Sequence, residues 1–190
     1  MEYDHIFPLA HQRVAFKEKM KKSDVKSCLR VDHAGELAAT KIYEGQLSIL
    51  SRSSVASTIK EMHRQETQHL FLFENALKTT ETPPSLLNPF WEKAAFGLGV
   101  TTALMGKKAA MACTIAVEEV IEQHYKSQID SLPTTTPSEI KKVIESCYLD
   151  EISHKEKAED HDGRETKGYK TLSTAIKTGC RAAIWLSKRI

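Results

Sequence analysis

Apolar residues recur at three- and four-residue spacing along most of this chain, and period-two alternation is nearly absent, which predicts an all-α protein. Prolines stand only at 8, 83, 84, 89, 133 and 137, where they punctuate the helical pattern. The spacing predicts a first helix over 23–50, capped by Ser23 and Asp24, a turn at 51–54 and a second helix over 55–78. Residues 79–89 read as a long connection, and a long third helix is expected over 91–131, with Gly97, Gly99 and Gly106 as kink points. Residues 133–137 turn the chain into a fourth helix over 138–160, and a last helix covers 166–189. This order implies two helical hairpins joined by a crossover, with one helix added at the carboxy terminus.

The apolar stripes carry charge where none is expected. Helix one runs through Leu29, His33, Glu36, Thr40, Tyr43, Leu47 and Leu50, and helix two through Val55, Ile59, Met62, Glu66, His69, Phe73 and Ala76. Helix four runs through Ile140, Ile144, Cys147, Glu151, His154, Ala158 and His161. A buried, unpaired carboxylate is costly, so each stripe calls for something that compensates its acid. A metal ion would do so.

Glu-x-x-His occurs at Glu2/His5, Glu66/His69 and Glu151/His154. Roughly one occurrence is expected by chance, and an isolated one is usually an exposed helical pair. Glu2/His5 precedes Pro8 outside any helical pattern and is set aside. The other two pass a test of height. In an antiparallel hairpin, residues equidistant from the turn sit level. The midpoint of Glu36 and Glu66 is residue 51, and that of Glu118 and Glu151 falls between 134 and 135, both inside predicted turns. Each hairpin therefore levels a lone glutamate with a Glu-x-x-His pair.

The third helix offers Glu118, Glu119 and Glu122. Helical steps from Glu118 meet Met111, Ile121 and Tyr125, which directs Glu118 inward. Steps from Glu119 lead to Gln123 and Lys126, a solvated face on which Glu122 and Lys126 form an ordinary pair. Tyr125, seven residues after Glu118, lies on the inward stripe, where its ring can fill the core and its hydroxyl can reach the acids.

One glutamate from each of two helices and one Glu-x-x-His from each of the other two is the ligand set of carboxylate-bridged di-iron or di-manganese four-helix bundles. Oxygen and imidazole donors suit such ions, and four carboxylates offset most of their charge.

The remaining features narrow the function. Lys and Arg number 27 against 25 Asp and Glu, so no strong nucleic-acid footprint is implied. Four cysteines, Cys28, Cys113, Cys147 and Cys180, form no CxxC and read as reduced and semi-buried. The amino terminus has no apolar secretory core, and its early acids make it a poor transit peptide. The longest uncharged run, 94–106, is shorter than the roughly 20 residues of a span. It reads either as a core helix or as an interfacial membrane helix. Residues 97–102, "GLGVTT", lack the third glycine and the preceding strand of a dinucleotide fingerprint, so a packing or kink role is expected of these glycines.

The stretches "RVDHAGELAATKIYEGQL" (30–47), "EMHRQETQHLFLFE" (61–74), "LMGKKAAMACTIAVEEVIEQHYKSQI" (104–129), "DEISHKEKAEDHD" (150–162) and "TGCRAAIWLSKRI" (178–190) together resemble the demethoxyubiquinone hydroxylases. The likeness covers nearly the whole chain from about residue 24. It implies a ferritin-like four-helix bundle with a crossover connection and an additional C-terminal helix, over residues 23–190, after a leader at 1–22 that is poorly ordered or a short helix. It places the family's iron ligands on Glu36, Glu66, His69, Glu118, Glu151 and His154, and its nearby His and Tyr on His124 and Tyr125. Tyr125 is thereby a candidate to support the ligands as well as to fill the core. Lys155 stands where the family's usual Glu-x-x-His-His has its second histidine. The resemblance further implies two iron ions per chain, NADH as reductant, and hydroxylation by dioxygen of the ring of a polyprenyl demethoxybenzoquinol. It implies peripheral attachment to the matrix side of the mitochondrial inner membrane, with a lipid-presenting accessory protein. A ferritin-like ferroxidase or peroxidase is the alternative enzyme, and a non-enzymatic helical scaffold with paired core acids is a third reading.

Overall fold

The computed structural model describes residues 22–190. Within it the helices are α1 (Lys22–Leu50), α2 (Ala56–Thr79), α3 (Asn88–Leu104), α4 (Lys107–Ser131), α5 (Ser138–Asp160) and α6 (Tyr169–Ser187), with a 3-10 turn at Gly163–Glu165 before α6. No strand occurs among the described residues, and none of their helices is long and apolar enough to cross a membrane. The bundle is ferritin-like. α1 and α2 form one antiparallel hairpin, α4 and α5 the other, and their acid-bearing stripes meet along the axis. Most of the predicted leader, and Glu2/His5 with it, lies outside the described residues.

The expected single helix over 91–131 is two helices that run in opposite directions. α2 ends beside the start of α1, where Lys26 Nζ donates to the carbonyl of Glu81 at 3.2 Å and Arg30 Nε to that of Pro83 at 3.2 Å. α4 begins at the other end of the bundle, where Lys107 Nζ donates to Ser54 Oγ at 3.2 Å and Gln46 Nε2 to the carbonyl of Ala110 at 3.1 Å. α4 is 25 residues long, which is about 37 Å of helix. The residues between α2 and α3 span at most about 29 Å even when fully extended. α3 therefore makes the crossing, parallel to α1, and its 17 residues cover about 26 Å. Reversal into α4 occurs at Gly106, whose φ of 110° only glycine adopts readily.

α3 reaches α1 backbone to backbone. A Cβ on Gly45 would lie 2.4 Å from the Phe96 carbonyl oxygen, and one on Gly99 would lie 2.1 Å from that of Ile42. The packing role expected of the glycine run thus falls on Gly99, whereas a Cβ on Gly97 would meet nothing within 4 Å. The inner face of α3 carries Ala95, Gly99, Thr102 and Ala103. Its outer side leaves Phe90, Phe96, Leu104 and Met105 exposed, as is Leu86 just before it.

Two apolar clusters fill the bundle axis. Leu29, Phe73, Tyr125, Ile144 and Cys147 pack toward one end. Tyr43, Ile59, Met62, Met111, Ile115 and Ala158 pack toward the other. On all four helices the levelled acids and histidines fall between these clusters in sequence, and so in height. A third cluster, including Ile42, Ala95, Cys113, Val117 and Ile176, joins α1 and α4 to α3 and α6. Cys28, Cys113 and Cys147 are buried, Cys180 is half-buried, and none is in a disulfide.

Candidate metal centre

Glu36, Glu66, Glu118, Glu151, His69 and His154 are all buried. The helical stripes place them there, and the two hairpins bring them together. One ligand atom from each of Glu36, Glu66, His69 and Glu151 lies within 4.8 Å of the others, and the same is true of Glu66, Glu118, Glu151 and His154. The two groups share Glu66 and Glu151. Glu66 and Glu151 could therefore offer oxygen atoms to a cation held by either group.

Inward-facing atoms are short of partners. Glu36 Oε2, both oxygens of Glu66, and Nδ1 of His69 and His154 are buried without a hydrogen bond. His154 Nδ1 lies 2.8 Å from Glu66 Oε1, but without the alignment of a hydrogen bond. His69 Nδ1 stands 3.4 Å from Glu36 Oε2 and 3.7 Å from Glu151 Oε1. Orphaned donors of this kind are expensive in a protein interior, and hard cations with oxygen and imidazole preference would satisfy all of them. The residues fit the metal ions.

Electrostatics agree. Burial pushes the carboxyl of Glu66 well above its ordinary range, and repulsion from Glu151, Glu36 and Glu118 pushes it further. Burial does the same to Glu118, reinforced by Glu151. Burial would lower His69, but the carboxylates of Glu151 and Glu36 win and hold it at about 12. His154 is raised too, with burial opposed by Glu151. Without a cation, the pocket keeps protons where a metal would supply charge.

Each outward histidine nitrogen is held from the facing helix. His69 Nε2 lies 2.9 Å from Asp150 Oδ2, and His154 Nε2 lies 3.1 Å from Gln65 Oε1. These contacts turn both Nδ1 atoms toward the centre. The outer glutamates are held in the same crossed manner. Tyr43 Oη donates to Glu118 Oε1 at 2.8 Å, and Tyr125 Oη donates to Glu36 Oε1. The Tyr125 ring also stacks on Phe73, with centroids 6.2 Å apart. It fills the core and reaches an acid, as its position on the stripe allows.

Sequence reasoning placed Tyr43 on the stripe without a polar role, and left Asp150 and Gln65 out. A signal existed. Tyr43 follows Glu36 by the same seven residues that separate Tyr125 from Glu118, and Gln65 and Asp150 each directly precede the glutamate of a Glu-x-x-His.

Glu118 is the inward acid of α4, in the register expected. Glu119 is not on a solvated face. It bonds to Arg164 at 2.8 Å and to Lys177 on α6. Burial pushes its carboxyl up, but the two cations outweigh this and hold it below its ordinary value. Glu122 pairs across to Lys155 on α5 instead of with Lys126. The helical count chose the right inward residue but could not foresee that α6 and α5 would cover the neighbouring faces.

A cavity of about 440 Å³ lies between α1, α3, α4 and α6. Its walls are mainly apolar, with Ala38, Leu98, Ile121 and Ile176 among them. Its polar lining is Asp32, Glu36, His124 and Tyr125, with Ser187 toward the carboxy-terminal end of α6. Of the six clustered acids and histidines, Glu36 alone lines it.

A ferritin-like bundle with two overlapping groups of glutamate and histidine in its core defines the class: a helical carboxylate protein able to hold metal, with an apolar cavity against one side of the site. Its sequence relations are narrower. The chain belongs to the family described as ubiquinone biosynthesis protein COQ7, matched over residues 23–187. It is 42% identical over 176 residues to the NADPH-dependent 3-demethoxyubiquinone 3-hydroxylase, mitochondrial, of Dictyostelium discoideum, covering 92% of this chain and 81% of the relative. It is 40% identical to the human protein of the same name, over 91% of this chain and 81% of that one. The 3-demethoxyubiquinol 3-hydroxylase of Rhodospirillum rubrum is 42% identical, over 85% and 76% respectively.

Proposed function

We propose that this protein is a demethoxyubiquinone hydroxylase of ubiquinone biosynthesis that uses dioxygen at a pair of iron ions. The observation that carries the reading is the meeting of a glutamate-and-histidine pocket with an apolar cavity at Glu36. Glu66 and Glu151 would bridge the two ions, Glu36 and His69 would complete one position, and Glu118 and His154 the other. When bound, the ions supply the activation of dioxygen that puts one oxygen atom on the substrate ring and releases the other as water.

The chain's own residues supply place and surroundings. The cavity takes the ring of a polyprenyl demethoxybenzoquinol, and its volume lies in the range of about 300–1,000 Å³ found for small-molecule pockets. Its apolar walls keep water from the reacting atoms. Tyr125 holds Glu36 at the point where the two spaces meet. Asp150 and Gln65 orient the histidines.

Further parts of the reading concern delivery. The exposed Phe90, Phe96, Leu104 and Met105, with Trp185 and Ile190 at the end of α6, suit peripheral contact with a membrane. We place that contact at the matrix side of the mitochondrial inner membrane, with a lipid-presenting accessory protein handing over the quinone. The names of the Dictyostelium discoideum and human relatives specify NADPH. For this chain we propose a reduced nicotinamide as electron source, with NADH and NADPH to be compared directly. A ferroxidase or peroxidase has no use for an apolar cavity of this size.

Iron-loaded protein incubated with a short-tailed demethoxyquinol, reductant and labelled dioxygen should give a product carrying one labelled oxygen. Consumption of reductant or iron oxidation with no labelled product would overturn the reading.

A further inference from the structure

We propose that Asp32 and His124 form a proton-accepting dyad in the cavity wall that takes the hydroxyl proton of the quinol substrate. This rests on the hydroxylase reading above. Asp32 is a buried carboxylate on α1 outside the metal pocket, with no exposed side-chain surface. Its Oδ1 accepts from His124 Nε2 at 2.9 Å, and its Oδ2 accepts from Gln128 Nε2 at 2.8 Å. Both oxygens are committed, so the carboxylate is fixed in direction.

That bond also sets the ring. With Nε2–H given to Asp32, Nδ1 carries the lone pair that can take a proton. His124 lines the cavity and keeps 10% of its side chain exposed, so the ring is accessible from the space that would hold substrate. Its neighbour Tyr125, with ring centroids 6.1 Å away, bonds to Glu36. The dyad therefore stands beside the place where the cavity meets the metal pocket. The other titratable groups lining the cavity are Glu36 on α1, Tyr125 on α4 and Cys180 on α6, and α3 contributes none.

The step is a proton transfer. The quinol O–H bond breaks, an N–H bond forms at His124 Nδ1, and the electron pair stays on the quinol oxygen. The resulting imidazolium is balanced by the Asp32 carboxylate already in contact with it. No oxidant is consumed. The phenolate so formed pushes electron density into the ring and raises the reactivity of the carbon that receives oxygen. Gln128 is a positioning residue. It holds Asp32, which holds the tautomer of His124.

The test compares the full iron-loaded chain with Asp32→Asn and His124→Gln, using short-tailed quinols whose hydroxyl acidity is graded by ring substituents. Iron content and helical content should equal those of the parent, since neither residue touches the ligands. General-base loss predicts a fall in kcat of roughly 10²–10⁴-fold with the ordinary quinol. The acidic quinols, already ionised, should recover most of that loss in His124→Gln, whereas the parent should respond weakly to acidity. A structural role would lower iron content or helicity, or slow all quinols alike, and either result would overturn the dyad. Full kcat in both variants would overturn it too. Failure of the parent itself to hydroxylate any quinol would instead defeat the hydroxylase reading.

Discussion

The two halves of the metal pocket are built alike but situated differently. In each, an outer glutamate is held by a tyrosine from the opposite hairpin, and a histidine is held by the residue preceding a shared glutamate on the facing helix. Glu36, His69, Tyr125 and Asp150 make one half, and Glu118, His154, Tyr43 and Gln65 the other. The first adjoins the cavity through Glu36. The second lies beneath Tyr43, Met62 and Ile115, which are almost fully buried. The first backs its histidine with a carboxylate, the second with a neutral amide. Two half-sites generated by one repeated pattern thus become one that adjoins the apolar cavity and one that is enclosed. What breaks the symmetry is not the ligand set but what packs around it.

The strongest test of the shared design is to remove what the halves share. Glu66→Ala or Glu151→Ala should abolish binding at both positions, whereas Glu118→Gln should spare the cavity-side position more than the enclosed one. Elemental analysis and the spectrum of the oxidised centre distinguish these outcomes, and equal loss in all three variants would show that the positions do not fill separately. Because Glu66, Glu118, His69 and His154 are all shifted upward in the absence of metal, loading should release protons. Affinity should therefore rise with pH, and an indicator-dye titration reads it directly.

A smaller effect tests the asymmetry of the histidine partners. Asp150→Asn should weaken metal at the His69 position by about 10–100-fold and leave the His154 position nearly unchanged. Gln65→Glu should strengthen the His154 position and make the two steps of a competitive metal titration converge. If Asp150→Asn weakens both steps equally, the carboxylate acts on the fold and not on one ion.

The tyrosines should separate stability from turnover. Tyr43→Phe and Tyr125→Phe each strand a carboxylate oxygen, at a cost of about 1–3 kcal/mol in denaturant unfolding. Tyr125→Phe should also lower hydroxylation, because it frees Glu36 at the cavity boundary. Comparable losses of turnover in the two variants would erase the distinction between the halves.

The least effect is expected at the α6 side of the cavity. Glu119→Gln should loosen α6 by on the order of 1 kcal/mol or less, since the pair is partly exposed and screened. Hydrogen exchange in residues 169–187 reads it. The folded carboxyl of Glu119 titrates below its ordinary value. Its contribution is therefore present above the ordinary carboxylate range and is lost as pH falls through the lowered value. Exchange in α6 unaltered by acid or by the substitution would show that this contact does not hold the helix.

Particular elements show how far the chain could be read in advance. That Glu36, Glu66, His69, Glu118, Glu151 and His154 meet in one buried cluster was legible because a helix repeats every 3.6 residues and a hairpin puts equidistant residues level. α2 and α5 were legible to within a residue for the same reason. Gly106 was legible as a kink point but not as a reversal, since local periodicity continues through Leu104 and Met105 on either reading. Only the distance between the ends of α2 and α4 demands a reversal.

Sequence by itself thus determined which side chains share a stripe and at what height each acid stands. Both are local consequences of backbone geometry. Tertiary structure decided the partners of each side chain. That Glu119 meets Lys177, and that Glu36 alone of the six clustered acids and histidines lines the cavity, depend on how α3 and α6 pack against α1 and α4; that Asp32 meets His124 depends on how α1 packs against α4. Those contacts join residues tens of positions apart, and the pattern along any one helix carries no information about which face a distant helix will cover.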